Sequence, residues 1–450
     1  MLNKKYAFKK TAILLALTAA FASQSAQAAN WLMLQGTEKD HQAPRAKVWG
    51  FVQAEYQQTD DSRVSTGPNA DQPLAFNQIG PQLNSSQTFN IRRARIGIRG
   101  ANLPLDKNVN YFVMTELGNN GITTGKDGNQ GKLTDASITL NHIPGARIRV
   151  GLFKTPGSEE SFQGIPAFNY INFTSATDRL LVERPVDTSE DAQYRYPVGA
   201  VRDTGIQVFD SFRDGAWEHS YAIMIGNGGG LATADKDKDL DTYAYVSTEK
   251  VFGKSKGPWR HGMKFYAWMH NGKRTIGTTS ISDDTTSGNK RNRSGLGTTY
   301  FDGKYRLAAE YIQADGMIFA GTSGAQLVGT KIHRPVAPAK GDTVGLNVQV
   351  DEKAAGYHID LGYRVMPDME LNVRYDALDS GTEVDAHLRE FRTTTLGAQY
   401  FFNKKTSVRV NYEMRSAEAP KVAATGPGSG VHKILDNMDN RLSAQVMMIF

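Results

Sequence analysis

From Lys47 to the end of the chain, apolar and polar residues alternate one for one in short runs. Val48–Tyr56 puts Val48, Val52, Ala54 and Tyr56 on one side and Gln53 and Glu55 on the other. Successive side chains of a strand point to opposite faces, so a period of two predicts strands with one apolar and one polar face. Phe89–Gly100, FNIRRARIGIRG, sets Ala94, Ile96 and Ile98 against Arg93, Arg95 and Arg99. Val109–Leu117, Lys132–Leu140 and Ala146–Lys154 follow, the last with Ile148, Val150 and Leu152 opposed to Arg147 and Arg149. Further runs are readable near Ala200–Phe209, Trp217–Ile225, Thr242–Lys250, Arg260–His270 and Arg291–Tyr300. Six more lie near Lys304–Ala314, Gly356–Val365, Met369–Ala377, Phe391–Phe402, Thr406–Met414 and Asn440–Phe450. The sum is sixteen, an even number, and each run is close to the ~10 residues that a tilted membrane strand needs.

Connection lengths alternate as well. Short turns are expected at His142–Gly145, Arg213–Gly215, Asp302–Gly303, Met366–Asp368 and Asn403–Lys405. Long polar stretches separate the other pairs, among them Gly118–Gly131, Asn271–Lys290, Gly316–Ala355 and Arg415–Met438. Outer-membrane barrels carry short periplasmic turns and long extracellular loops in this order. The fold class expected is therefore all-β: a 16-stranded antiparallel transmembrane β-barrel over residues 46–450. In its last strand Leu442, Ala444, Val446, Met448 and Phe450 share one face. Such an ending resembles the C-terminal signal read by the barrel-assembly machinery. Trp49, Tyr111, Trp217, Tyr305 and Tyr357 are read as interfacial aromatic girdles.

The N-terminus changes the charge picture. Lys4, Lys5, Lys9 and Lys10 precede an apolar run, Ala12–Ala22, and the small-residue ending Ala26-Gln27-Ala28. That layout predicts a secretory signal peptide over 1–28, followed by a short periplasmic segment over 29–45. The apolar run is too short for a bilayer-spanning helix, which argues against a permanent anchor. Loss of four lysines takes the formal net charge of +6 to +2, so the mature chain is barely basic and no nucleic-acid partner is expected. There is no cysteine, which excludes disulfides, thiolate metal sites and covalent haem attachment. Glycine (44), tyrosine (18) and phenylalanine (20) are frequent while mean hydropathy is −0.45. No 18-residue apolar run follows the leader, so no transmembrane helix is expected.

If the apolar faces meet lipid, the polar faces line a lumen holding a small basic excess. Five of its arginines crowd onto two strands: Arg93, Arg95, Arg99, Arg147 and Arg149. Rows of arginine select anions in pores, yet arginine also pairs with wall carboxylates, and both roles stay open here. Enzyme motifs are missing. GLFKTPGS lacks the GK[ST] ending of a phosphate loop, and the nine histidines show no HExxH spacing. His358 and Asp360 share the inward face, as ordinary lumen residues do. No enzyme activity, metal or cofactor is expected.

Several blocks carry a family resemblance: FNIRRARIGIRG, LTDASITL with IPGARIRVGLFKTP, LVERP, VRDTGIQVF, MIGNGGG, YRLAAEYI and LNVRYDALD. From Phe89 to the C-terminus the chain is similar to the phosphate-selective porin O and P family. RRAR and RVGLFKTP are the most specific pieces. The resemblance implies an outer-membrane homotrimer whose third extracellular loop folds into the lumen. It also implies an arginine ladder that passes anions to a basic constriction. Arg92, Arg93, Arg95 and Arg99 would match part of that ladder, Arg92 only if the strand bulges. The loop expected to fold inward, residues 155–198, departs from the family picture. It has no lysine, and Glu159, Glu160, Asp178 and Glu183 outweigh Arg179 and Arg184 over its first part. Further acids (Asp187, Glu190, Asp191) face only Arg195. Such a loop is expected to dock on the arginine wall and narrow the pore. The function expected is a porin for passive diffusion of small anionic solutes, with phosphate and related oxyanions among them. The alternatives are a general diffusion porin with little selectivity, or a barrel docking a periplasmic partner. An N-terminal plug is not expected, since so few mature residues precede the first strand.

Overall fold

The computed structural model describes residues 30–34, 36–37, 45–63, 70–71, 74–77, 86–102, 106–120, 131–183, 200–232, 235, 239–253, 259–274, 288–319, 348–349, 351–426 and 430–450. The leader expected over 1–28 lies outside them. Strand formation follows the alternation closely. The first group is β1 (Lys47–Gln58), β2 (Gln87–Ala101), β3 (Val109–Glu116), β4 (Lys132–Leu140), β5 (Arg147–Lys154) and β6 (Arg202–Asp214). Next come β7 (Trp217–Gly226), β8 (Asp241–Val251), β9 (Gly262–Arg274), β10 (Asn289–Phe301) and β11 (Tyr305–Asp315). After a two-residue pair, β12 (Ile318–Phe319) and β13 (Val348–Gln349), come β14 (Lys353–Met366) and β15 (Met369–Ser380). The chain closes with β16 (Arg389–Asn403), β17 (Thr406–Glu418) and β18 (Arg441–Ile449).

All but β12 and β13 form one closed antiparallel barrel in which each strand bonds its sequence neighbours and β18 returns to β1. Sixteen strands therefore close the sheet, and β12–β13 is a separate ribbon within the β11–β14 connection. At one mouth the links are as short as Lys404–Lys405 between β16 and β17, and at the other they reach 155–201 between β5 and β6. Closure depends on Gly50. Its amide and carbonyl bond the Phe450 backbone at 3.3 and 3.0 Å, and any Cβ there would collide with the Phe450 ring.

Burial is inside-out relative to a water-soluble protein. Gln53, Glu116, Asp135, Arg374 and Arg409 are buried within the barrel, while Phe89, Ile223, Leu296 and Phe402 are at least 60% exposed on its outer face. Hydrocarbon admits only helices and closed barrels, because no backbone polar group can be left without a partner there. Among the described residues no helix is long and apolar enough to cross a membrane. Paired outer rings, Tyr305 with Tyr363 and Tyr400 with Phe402, form girdle contacts near the short-turn mouth. Trp49 does not belong with them. Its odd parity in β1 turns it inward, onto Phe51 and Phe112.

Candidate functional site

Two walls of the lumen treat their cations differently. On β2 the register with β1 slips between Gln53 and Ala54, and Arg92 is the extra residue of that bulge. A bulge puts two residues opposite one and breaks the alternation, so Arg92 and Arg93 both turn inward. Arg92 donates to Glu55 Oε1 at 3.0 Å. Arg95 Nε donates to Glu116 Oε2 at 2.6 Å, and the same carboxylate accepts from the Ala94 and Gly118 amides and from Asn120. On β5, Arg147 pairs with Asp210 of β6. Arg149 bonds Thr139 Oγ1 at 3.3 Å and lies 4.4 Å over the Phe209 ring. Arg99 reaches the Leu34 carbonyl at 3.4 Å and lies over Trp49. Arg93 is bonded to a neutral side chain. Among the described residues it has no carboxylate partner: Nη1 bonds the Gln53 amide oxygen at 2.9 Å and Nε meets no acceptor. This wall's counter-charges, where present, come from adjacent strands.

On the opposite wall, β9 to β18, Arg306 and Arg364 pair with Glu370 and Arg441 with Glu413, but Lys264, Arg274, Arg291 and Arg374 take partners from the chain that leaves β5. That segment holds a four-residue helix (Glu159–Phe162) and a π turn (Thr177–Leu181). Lys154 grips its start, with Nζ 2.9 and 2.7 Å from the carbonyls of Ser161 and Gln163, just past the helix end. Glu159 pairs with Lys264 of β9 and accepts from Trp31 Nε1 at 2.8 Å. Glu160 pairs with Arg374 of β15 at 3.2 Å and is bonded by the Thr174 amide and hydroxyl. Glu183 sits between Arg274 of β9, at 2.8 Å, and Arg291 of β10. Burial opposes the charge on Glu183, but the two guanidiniums prevail and hold its carboxyl below the usual glutamate range. Arg179 lies 3.9 Å over the Phe391 ring. Wall groups also accept from the segment: Asn411 Oδ1 from the Ile171 amide, Asp376 from the Ser175 amide, Glu413 from Asn172 and Glu310 from Ser158.

Gly164–Ala167 of this segment roofs a cavity of about 600 Å³ at the short-turn mouth. Lys47, Arg95 and Arg99 of β1 and β2 line it, with the register pair Lys154 and Arg202. Arg364 of β14 and Lys404 of the β16–β17 turn complete the cations, and Asp368 is the acidic residue of the lining. Residues 30–34 and 36–37 enter the same mouth. Asn30 bonds Glu218 and Ser220 of β7, and Gly36 approaches Thr139 so closely that a side chain would collide.

The structure thus gathers Arg92, Arg93, Arg95, Arg99, Arg147 and Arg149 on one wall, and Glu159, Glu160, Arg179 and Glu183 against the other. Arg184 lies outside the described residues. The segment was expected to dock on the arginine wall; its Glu159, Glu160 and Glu183 pair instead with Lys264, Arg374, Arg274 and Arg291 of the other wall, while Glu55, Glu116 and Asp210 stand beside Arg92, Arg95 and Arg147. Its anchors were invisible to strict parity in places. Lys154 shares the parity of Ile148 and Val150, but Gly151 has φ +124° and the alternation is lost beyond it. A glycine inside a strand pattern was the available signal.

A family model described as phosphate-selective porin O and P matches residues 70–425. No curated protein sequence matches the chain. Among solved structures, the fold is similar to an anion-selective porin from Comamonas acidovorans, with TM-score 0.52, 13% identity, and coverage of 90% of this chain and 99% of that one. It is also similar to the outer membrane channel DcaP of Acinetobacter baumannii, with TM-score 0.50, 13% identity, and coverage of 93% and 100%. For Salmonella typhi OmpF in complex with daunomycin the values are 0.50, 14%, and 90% and 97%.

Proposed function

The chain belongs to the phosphate-selective porin O and P family, and we propose that it forms a water-filled outer-membrane channel for passive diffusion of small anionic solutes. The observation that carries this reading is the basic lining: seven cationic side chains against Asp368 in the short-turn cavity, continuous with the β2 arginines. Along β2, Arg93 and Arg95 are ~7 Å apart and Arg99 ~14 Å further on, from a rise of about 3.4 Å per residue. An anion moving down this row exchanges one guanidinium for the next without full rehydration. Carboxylate-bound arginines contribute a damped field, whereas Arg93 keeps its charge among neutral partners. The solute class is small oxyanions, with phosphate as one of them.

The rest of the picture follows from this reading. The leader 1–28 is removed on export, the short-turn mouth and residues 29–45 face the periplasm, and the assembly is a homotrimer as the family implies. The outer apolar face meets outer-membrane lipid, and the last strand is the handle for the barrel-assembly machinery. The segment expected to fold inward, through its described part 155–183, forms the constriction. The chain works as a channel and not as a catalyst. A second reading, a general diffusion pore with little selectivity, is favoured by the carboxylates bonded to Arg92, Arg95 and Arg147. Planar-bilayer recording across a potassium chloride gradient separates the two. Anion guidance gives a zero-current potential of the sign set by chloride, and a potential near zero would sink it.

A further inference from the structure

We infer, on the basis of the channel reading, that the cavity at the short-turn mouth binds organic carboxylates with a flat apolar body in preference to inorganic oxyanions. Its lining pairs cations with rings. Arg99 lies 5.9 Å over Trp49, Arg95 5.6 Å over Phe51, and Arg364 5.8 and 5.2 Å over Trp259 and Phe401. Three carboxylates support the cations from behind: Glu116 bonds Arg95, Asp135 bonds Arg202 and Glu370 bonds Arg364, each at no more than 1% exposure. They fix the guanidiniums without offering a negative surface to the cavity. Between the cations the lining is apolar, with Met114, Met447 and Ile449 beside the rings and Ile165 in the roof. At about 600 Å³ the space suits a ligand of several fused or substituted rings.

A phosphate ion carries oxygens on every side and needs donors on every side. This lining offers donors over part of its surface and hydrocarbon over the rest. An aromatic carboxylate satisfies both halves at once: its ring covers Trp49 and Trp259, and its carboxylate meets the cations that lie over those rings. The cavity lies beneath the Gly164–Ala167 roof, so such a ligand reaches it directly from the short-turn side.

The test is block of the chloride current in the purified full-length protein by 2-naphthoate, inorganic phosphate and neutral 2-naphthol, each added to either side. Expected is block by 2-naphthoate at a concentration at least tenfold below that of phosphate, stronger from the short-turn side, with 2-naphthol weaker than naphthoate. In Trp49→Ala and the milder Trp259→Leu, each first checked for heat-modifiable folding, the naphthoate-to-phosphate ratio should move toward one. Equal potency of naphthoate and phosphate, equal potency of naphthol, or an unmoved ratio in both variants would overturn the assignment. Loss of anion preference with naphthoate block retained would defeat the anion-guiding reading and leave this site standing. Anion preference without naphthoate block would do the reverse.

Discussion

The two walls of this lumen use the same chemistry for opposite ends. From β1 to β6 several arginines are matched by carboxylates of neighbouring strands, as Arg95 is by Glu116 and Arg147 by Asp210. On β9, β10 and β15 a second set of cations takes carboxylates from the inserted segment, as Arg374 takes Glu160 and Arg274 takes Glu183 beside its wall partner Asp241. A cation paired within its own sheet keeps its place whatever the segment does, and its face stays turned to the lumen. A cation paired with the segment is part of a latch, and its charge is spent on holding that segment. Counting lumen arginines therefore says little about selectivity until each is assigned to one wall or the other.

The sharpest break in this contrast is Arg374→Gln. It leaves Glu160 buried without its cation and removes the donor to the Asn172 carbonyl. Stripping one partner from a buried pair costs about 3–5 kcal/mol. Expected are a larger and noisier single-channel conductance and a lower temperature for the heat-induced mobility shift. A quiet channel of unchanged conductance would mean that the segment is held by something else. Lys154→Met comes next. Its ammonium holds the Ser161 and Gln163 carbonyls, and buried acceptors left without donors cost about 1–3 kcal/mol. Current noise should rise, by less than in Arg374→Gln.

Acid gives a smaller and reversible effect. The Glu183 carboxyl titrates below its ordinary value, so its contribution to the latch is fully present above about pH 4.5 and is lost as pH falls through the depressed value. Conductance noise should be flat from pH 7 to about pH 5 and rise only in stronger acid. Glu183→Gln should show the noise already at pH 7. The smallest change is expected for Arg92→Gln. This bulge arginine sits partly exposed beside Glu55, and its loss should shift the zero-current potential slightly and leave the noise alone. A noisy Arg92 variant would blur the distinction between the walls.

The barrel was legible because alternation, run length and turn length all derive from one backbone geometry, and the strand boundaries differ from the sequence reading by a few residues. The site was legible in kind but not in pairing. Parity told which side chains face inward, and it failed where the backbone leaves the regular pleat, at the Arg92 bulge and beyond Gly151. Which carboxylate meets which guanidinium depends on where a 29-residue described stretch, 155–183, crosses the lumen, and no local pattern encodes that path. The entry of Trp31 and Asn30 into the short-turn mouth was equally silent, since both contacts join residues more than a hundred positions apart.

The separation of guidance from latch is tested most directly by the zero-current potential of Arg93→Gln/Arg95→Gln/Arg99→Gln in a salt gradient, recorded with unit conductance and noise. Each charge removed takes away an attraction of roughly 1–4 kcal/mol at 4 Å, less at greater distance in salt. Because Arg93 and Arg95 bond Gln53 and Glu116 of their own wall and Arg99 the Leu34 carbonyl, the potential should move toward zero while conductance changes modestly and the trace stays quiet. A potential that stays put while the conductance rises and becomes noisy would contradict this, and would make the β2 arginines the latch.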